Sequence, residues 1–126
     1  MVILGIDPGI AIVGYGIIEY KNNKFRVIDY GAVTTNANTP TDQRLALVYK
    51  GIDILIKNYN IDEVAIEELF FNKNVKTAIT VAQARGVIML ACTHNNKPIY
   101  EYTPLQVKQG VVGYGRAQKM QVQQMV

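Results

Sequence analysis

The stretch that decides the fold is Met1-Val-Ile-Leu-Gly-Ile-Asp-Pro-Gly9. Its alternation sends Val2, Leu4 and Ile6 to one face and Ile3, Gly5 and Asp7 to the other. A run apolar on both faces reads as a buried central strand. It ends in a carboxylate, and Pro8-Gly9 turn the chain away at once. A charge at the end of a buried strand is costly unless something pairs with it, and a metal ion is one such partner.

A second stretch, Glu63-Val-Ala-Ile-Glu67, repeats the pattern: Ala65-Ile66-Glu67 mirrors Gly5-Ile6-Asp7 as small residue, isoleucine, acid. If the two strands run side by side and parallel, Asp7 and Glu67 emerge at one sheet edge on one face. Two acids so placed repel unless a cation lies between them. Hard oxygen donors with open positions suit Mg²⁺ or Mn²⁺. Glu68 is the rival of Glu67, on the opposite face.

Outward from these strands, Ile12–Glu19 and Phe25–Thr34 read as a hairpin around the turn Lys21-Asn22-Asn23-Lys24. Thr39 reads as a helix N-cap, with Pro40 at the first helical position and Asp42 three residues on. That helix runs to about Asn58, with Leu45, Val48, Tyr49, Ile52, Leu55, Ile56 and Tyr59 on one face. A second helix is predicted from about Val75 to His94. Its apolar stripe is Val75, Ala78, Ile79, Ala82, Gly86, Met89 and Leu90, whose small residues allow close approach to a sheet or another helix. A strand over Ile99–Tyr102 follows, then a third helix from Thr103-Pro104 to near Gly110. A glycine-rich loop (110–115) and the beginning of a fourth helix (116–126) close the sequence. The order β-β-β-α-β-α-β-α, with the first strand central, is an α/β domain with a mixed sheet and helices on both faces, the order of the ribonuclease H-like fold.

Composition sets bounds. The chain has 126 residues, 49% of them hydrophobic and 18% charged, the make-up of one folded domain. Apolar runs are short and broken by charge, so neither a transmembrane span nor a membrane partner is expected. No secretory leader is expected. One cysteine, Cys92, fits a reducing compartment, with the cytoplasm as the default. Charge is unevenly spread: residues 1–70 carry six Lys/Arg against nine Asp/Glu, and residues 71–126 carry seven against one. An acidic, metal-holding half followed by a basic half suits a phosphodiester substrate.

Ile3–Gly9, Ala65-Ile66-Glu67, Gln83-Ala-Arg-Gly-Val87 and the long motif from Val107 to Val122 together resemble the RuvC family of bacterial Holliday-junction resolvases. The resemblance runs from Met1 to Val126. It implies a homodimeric, Mg²⁺-dependent endonuclease that nicks two opposed strands of a four-way DNA junction, works with a branch-migration motor, and acts at the bacterial nucleoid. Asp7 and Glu67 match two of four metal ligands for two ions. Lys108 and Lys119 match basic residues needed for cleavage, and Phe70 an aromatic that packs on junction bases. The helix carrying residues 83–87 matches the one used at the dimer interface.

The other two ligands of the family pattern belong to a final helix beyond Val126, so the domain 1–126 is expected to lack that helix and to be impaired in cleavage. Around the glycine loop, Lys108, Arg116 and Lys119 suit DNA phosphates. Lys73, Lys76 and Arg85 extend that basic track. One of Phe70 and Phe71 is expected in the core, the other exposed to stack on a base. Cys92 and His94 point apart on their helix and make no metal site. Two other classes stand beside the nuclease: a non-catalytic module that binds junction DNA or dimerises, and a sugar-kinase or actin-like ATPase. The ATPase needs a second phosphate loop and a much longer chain.

Overall fold

A computed structural model describes residues 1–68 and 75–102. Five strands and two helices follow in the order β1 (Val2–Asp7), β2 (Ile12–Lys21), β3 (Lys24–Thr34), α1 (Thr41–Asn58), β4 (Glu63–Glu67), α2 (Val75–His94) and β5 (Ile99–Tyr102). The strands form one sheet in the order β3-β2-β1-β4-β5. β1 is central, antiparallel to β2 and parallel to β4. This is the mixed sheet expected of a ribonuclease H-like order. The third and fourth helices of the sequence reading lie outside the described residues.

Local chemistry explains the turns. Asn22 and Asn23 both have positive φ, 55° and 60°. That is the left-handed pair a two-residue hairpin needs, and asparagine tolerates it better than most residues. Ahead of α1, the expected capping is corrected. The Thr39 N–H donates to the Asn36 carbonyl, and Pro40, with ψ 146°, stands at the N-cap without a side-chain capping bond. Proline in this extended state is the last residue before the helix, so Thr41 is the first inside it.

Register and alternation put Leu4, Ile6, Val13, Ile17, Val64 and Ile66 on one sheet face. They form one buried cluster with Val48, Ile52, Leu55 and Ile56 of α1 and Ile88, Ala91 and Cys92 of α2. Both described helices therefore pack on the same face. Gly51 brings α1 close to β3: a Cβ there would lie 2.8 Å from Val33 Cγ1. At the far end, Asn95 Nδ2, just past α2, donates to the Asp53 carboxylate of α1 and ties the two helices together, while Lys57 Nζ meets the same carboxylate within α1.

The stripe expected on α2 is real but faces outward. Ala78 is buried, yet Val75, Ile79 and Leu90 are 70%, 56% and 48% exposed. The core is sealed from the other side of the helix by Ala84, Ile88, Ala91 and Cys92. α2 is apolar on both faces, so, by length and composition alone, it is also long and apolar enough to cross a membrane. The expectation that no segment would meet that test is corrected; one of the helix's two apolar faces is spent on the core it shares with α1 and the sheet.

Candidate active site

The parallel register of β1 and β4 sets Gly5 beside Ala65 and Ile6 beside Ile66. The next residues on both strands are Asp7 and Glu67, on the face away from α1 and α2. Their carboxylates meet: Glu67 shares a hydrogen bond with Asp7. Burial first, then the neighbouring Asp7 charge and that shared bond, push the Glu67 carboxyl above the ordinary carboxylate range. A shared proton or a cation relieves such a pair. Glu68 is exposed and lies on the other face, its N–H donating to the Tyr102 carbonyl. Of the two acids, Glu67 is the one that meets Asp7.

The donor set suits a hard divalent cation: two converging carboxylates, one exposed and one half-buried, at an open strand end. Among the described residues no group of three or more His, Cys, Asp or Glu comes together. His94 is bound elsewhere, its Nδ1 2.6 Å from the Tyr49 hydroxyl. Cys92 is fully buried in the core, and burial pushes its thiol up to about 11.

The loop after Asp7 is held from outside. A Cβ on Gly9 would lie 2.2 Å from the Ile12 carbonyl oxygen, so the turn admits only glycine. Thr35, just past β3, donates through its hydroxyl to the Ile10 carbonyl and through its N–H to the Ala11 carbonyl. Arg44 on α1 in turn donates from Nε to Thr35 Oγ1 at 2.9 Å.

The remaining site residues separate. Lys76 is exposed in the first turn of α2. Arg85 departs from that track. Its side chain is only 16% exposed, and it pairs with Glu101 of β5 at 2.7 Å. Glu101 lies in β5 beside Ile66, and the ion pair makes Arg85 a strut between α2 and β5 rather than an open phosphate contact. Phe70, Phe71, Lys73, Lys108, Arg116 and Lys119 lie outside the described residues.

Two features escaped the sequence reading. Tyr102 is register-paired with Glu67, on the acid face, and 42% exposed. Alternation along Ile99–Tyr102 carried that signal once β5 was set beside β4. The Thr35–Arg44 clamp had no sequence signal, because it depends on where β3 ends relative to the turn of α1.

The family model that describes crossover junction endodeoxyribonuclease RuvC matches residues 3–126. A Clostridioides difficile protein of that name is 82% identical over 126 residues, which cover all of this chain and 75% of the relative. The Alkaliphilus oremlandii protein of the same name is 64% identical, covering all of this chain and 77% of the relative. Among solved structures, Thermus thermophilus RuvC in complex with a Holliday junction substrate superposes with a TM-score of 0.81. Its identity is 31%, over 88% of this chain and 69% of that one.

Proposed function

The chain belongs to the RuvC family of crossover junction endodeoxyribonucleases, and from that premise we propose that it hydrolyses phosphodiester bonds at four-way DNA junctions, nicking two opposed strands. The observation that carries this reading is the meeting of Asp7 and Glu67 at one strand end in a family-matched frame. Hydrolysis needs a nucleophilic water and a means of offsetting charge on the phosphate and the leaving 3′ oxygen. Asp7 and Glu67 would hold a divalent cation, Mg²⁺ or Mn²⁺; when bound, it supplies the charge neutralisation and the acidification of water that phosphoryl hydrolysis requires.

The chain's own work is then positional. Gly9 and the Thr35 bonds fix the loop behind Asp7, and the Gly5–Ala65 pair leaves space beside the two carboxylates. Lys108, Lys119 and Arg116 bring positive charge to the phosphates, and Lys76 extends it. Phe70 or Phe71 stacks on an unpaired junction base. A second ion requires further ligands beyond this pair.

We also propose a homodimer, because two opposed strands need two sites. The outward stripe of α2 supports it: Val75, Ile79 and Leu90 are exposed apolar residues on one helix face, and Gly86, on the same stripe, faces open space. The test of function is strand cleavage of a labelled four-way junction in Mg²⁺. Paired, symmetric nicks are expected, with a loss of about 100-fold or more on Asp7→Asn. Junction binding with no nicks in the unsubstituted chain would instead favour a non-catalytic junction-binding module. The presence of only two convergent acids among the described residues is the observation on that side.

A further inference from the structure

We propose that Arg44 binds a phosphate of the DNA strand that runs into the Asp7–Glu67 edge, with Thr35 as its positioning residue; this rests on the nuclease reading above. Three arginines stand among the described residues. Arg26 is paired with Glu19 and Arg85 with Glu101, whereas no carboxylate among the described residues pairs with Arg44. Asp42 is the acid in its own helical turn, but residues two apart on a helix do not face each other.

Arg44 is half-buried, and a neutral hydroxyl anchors it. A guanidinium held through Nε keeps the edge bearing its two Nη groups free, a planar fork that matches phosphate geometry. Among the described residues the only side-chain bond of Arg44 is the one through Nε, and neither Nη is a buried atom without a partner. Ordering a charged side chain without a counter-charge is unfavourable in the free protein, and a phosphate would supply that charge.

Position gives the fork its target. Thr35 follows β3, whose last residue, Thr34, pairs with Ile12 at the start of β2. β2 in turn pairs Gly14 with Asp7. Thr35 thus stands two strands from β1 at the end that carries the acids, three residues past Ala32, which lies opposite Asp7 through Gly14; the separation from Asp7 is about 14 Å. Its hydroxyl both accepts from Arg44 and donates to Ile10, three residues after Asp7. A phosphate seated on Arg44 is therefore referenced to the catalytic loop through one side chain.

The test is equilibrium binding of a four-way DNA junction between about 50 and 200 mM salt. It compares the full chain with Arg44→Gln, Arg44→Lys and Thr35→Val. Arg44→Gln should weaken binding about ten-fold and make the log–log salt slope shallower by about one. Arg44→Lys should keep the slope and lose only part of the affinity, because it keeps the charge without the fork. Thr35→Val should likewise keep the slope but slow cleavage, since the charge stays and its placement is lost. An Arg44→Gln chain with the unsubstituted slope overturns the proposal, whether or not its affinity falls, because a purely structural defect leaves the count of phosphate contacts unchanged. An Arg44→Lys chain with a shallower slope overturns it too. If Thr35→Val cuts and binds like the unsubstituted chain, Thr35 has no positioning role. Failure of the unsubstituted chain to bind any junction would instead remove the nuclease reading and this inference with it.

Discussion

Two helical glycines, Gly51 in α1 and Gly86 in α2, should respond to the same substitution with opposite signs. Replacing glycine by alanine inside a helix gains about 1 kcal/mol, because the unfolded chain loses conformational freedom. At Gly86 nothing lies within 4 Å of an added Cβ, so the isolated chain should keep that whole gain. At Gly51 the added Cβ would lie 2.8 Å from Val33 Cγ1 and 3.0 Å from Cγ2. Valine is stiff at χ1, and Val33 is register-paired with fully buried Val13, so neither rotamer nor strand yields freely. Overpacking of this kind costs about 1–3 kcal/mol. The net for Gly51→Ala is then a loss of about 1 kcal/mol, and the two variants should differ by about 2. With a urea slope of about 1–3 kcal/mol per molar, their midpoints should separate by roughly 1 M. The assay is urea unfolding followed by far-UV circular dichroism at low protein concentration. Val33→Ala is run alone and combined with Gly51→Ala to measure the coupling. A Gly51→Ala chain as stable as the parent, or no coupling to Val33, would refute the packing argument.

Stability should also report the acid pair. The Glu67 carboxyl titrates above its ordinary 4.5 in the folded chain. In the window that opens above that value, the folded state holds a proton the unfolded state has released, so stability falls as pH rises through it. Asp7→Asn should flatten that fall, and Mg²⁺ should restore stability at the upper end. Denaturation midpoints across the window, in EDTA and in Mg²⁺, check this; an unchanged slope in Asp7→Asn would sink the repulsion. On the outward stripe of α2, Ile79→Lys or Leu90→Glu should yield monomers in sedimentation equilibrium. Both side chains face out of the fold, so the dilute-chain stability should move by no more than about 0.5 kcal/mol. A variant that stays dimeric places the interface elsewhere.

The acid pair and the sheet were legible because both depend on period-two patterns and on one repeated triplet. Small residue, isoleucine, acid occurs twice, and parallel register turned that repetition into contact. The hairpin was equally local, written in Asn22 and Asn23. What sequence could not decide was the orientation of α2. Ala84, Ile88, Ala91 and Cys92 make as good an apolar face as Val75, Ile79 and Leu90, and periodicity cannot choose between two such faces. The role of Arg85 was hidden for a related reason. Its partner, Glu101, lies on a strand whose neighbour is known only once the sheet order is known. Pro40 misled by one residue, since proline's fixed φ suits both the last extended position and the first helical one.

The parallel pairing of β1 with β4 has a consequence for when this chain becomes dangerous to DNA. Val2 donates to the Asp62 carboxylate across 60 positions of sequence, and Asp62 donates back to the Val2 carbonyl. The segment between them holds a hairpin and a whole helix, and closing the seam orders the ends of that long loop. Contacts so distant along the chain form late, because their loop-closure entropy comes first. On the ribosome Asp7 emerges long before Glu67, so a nascent or half-folded chain has no assembled acid pair. Assembly of the cutting edge is thereby tied to completion of the sheet, and the fold itself acts as the safety catch.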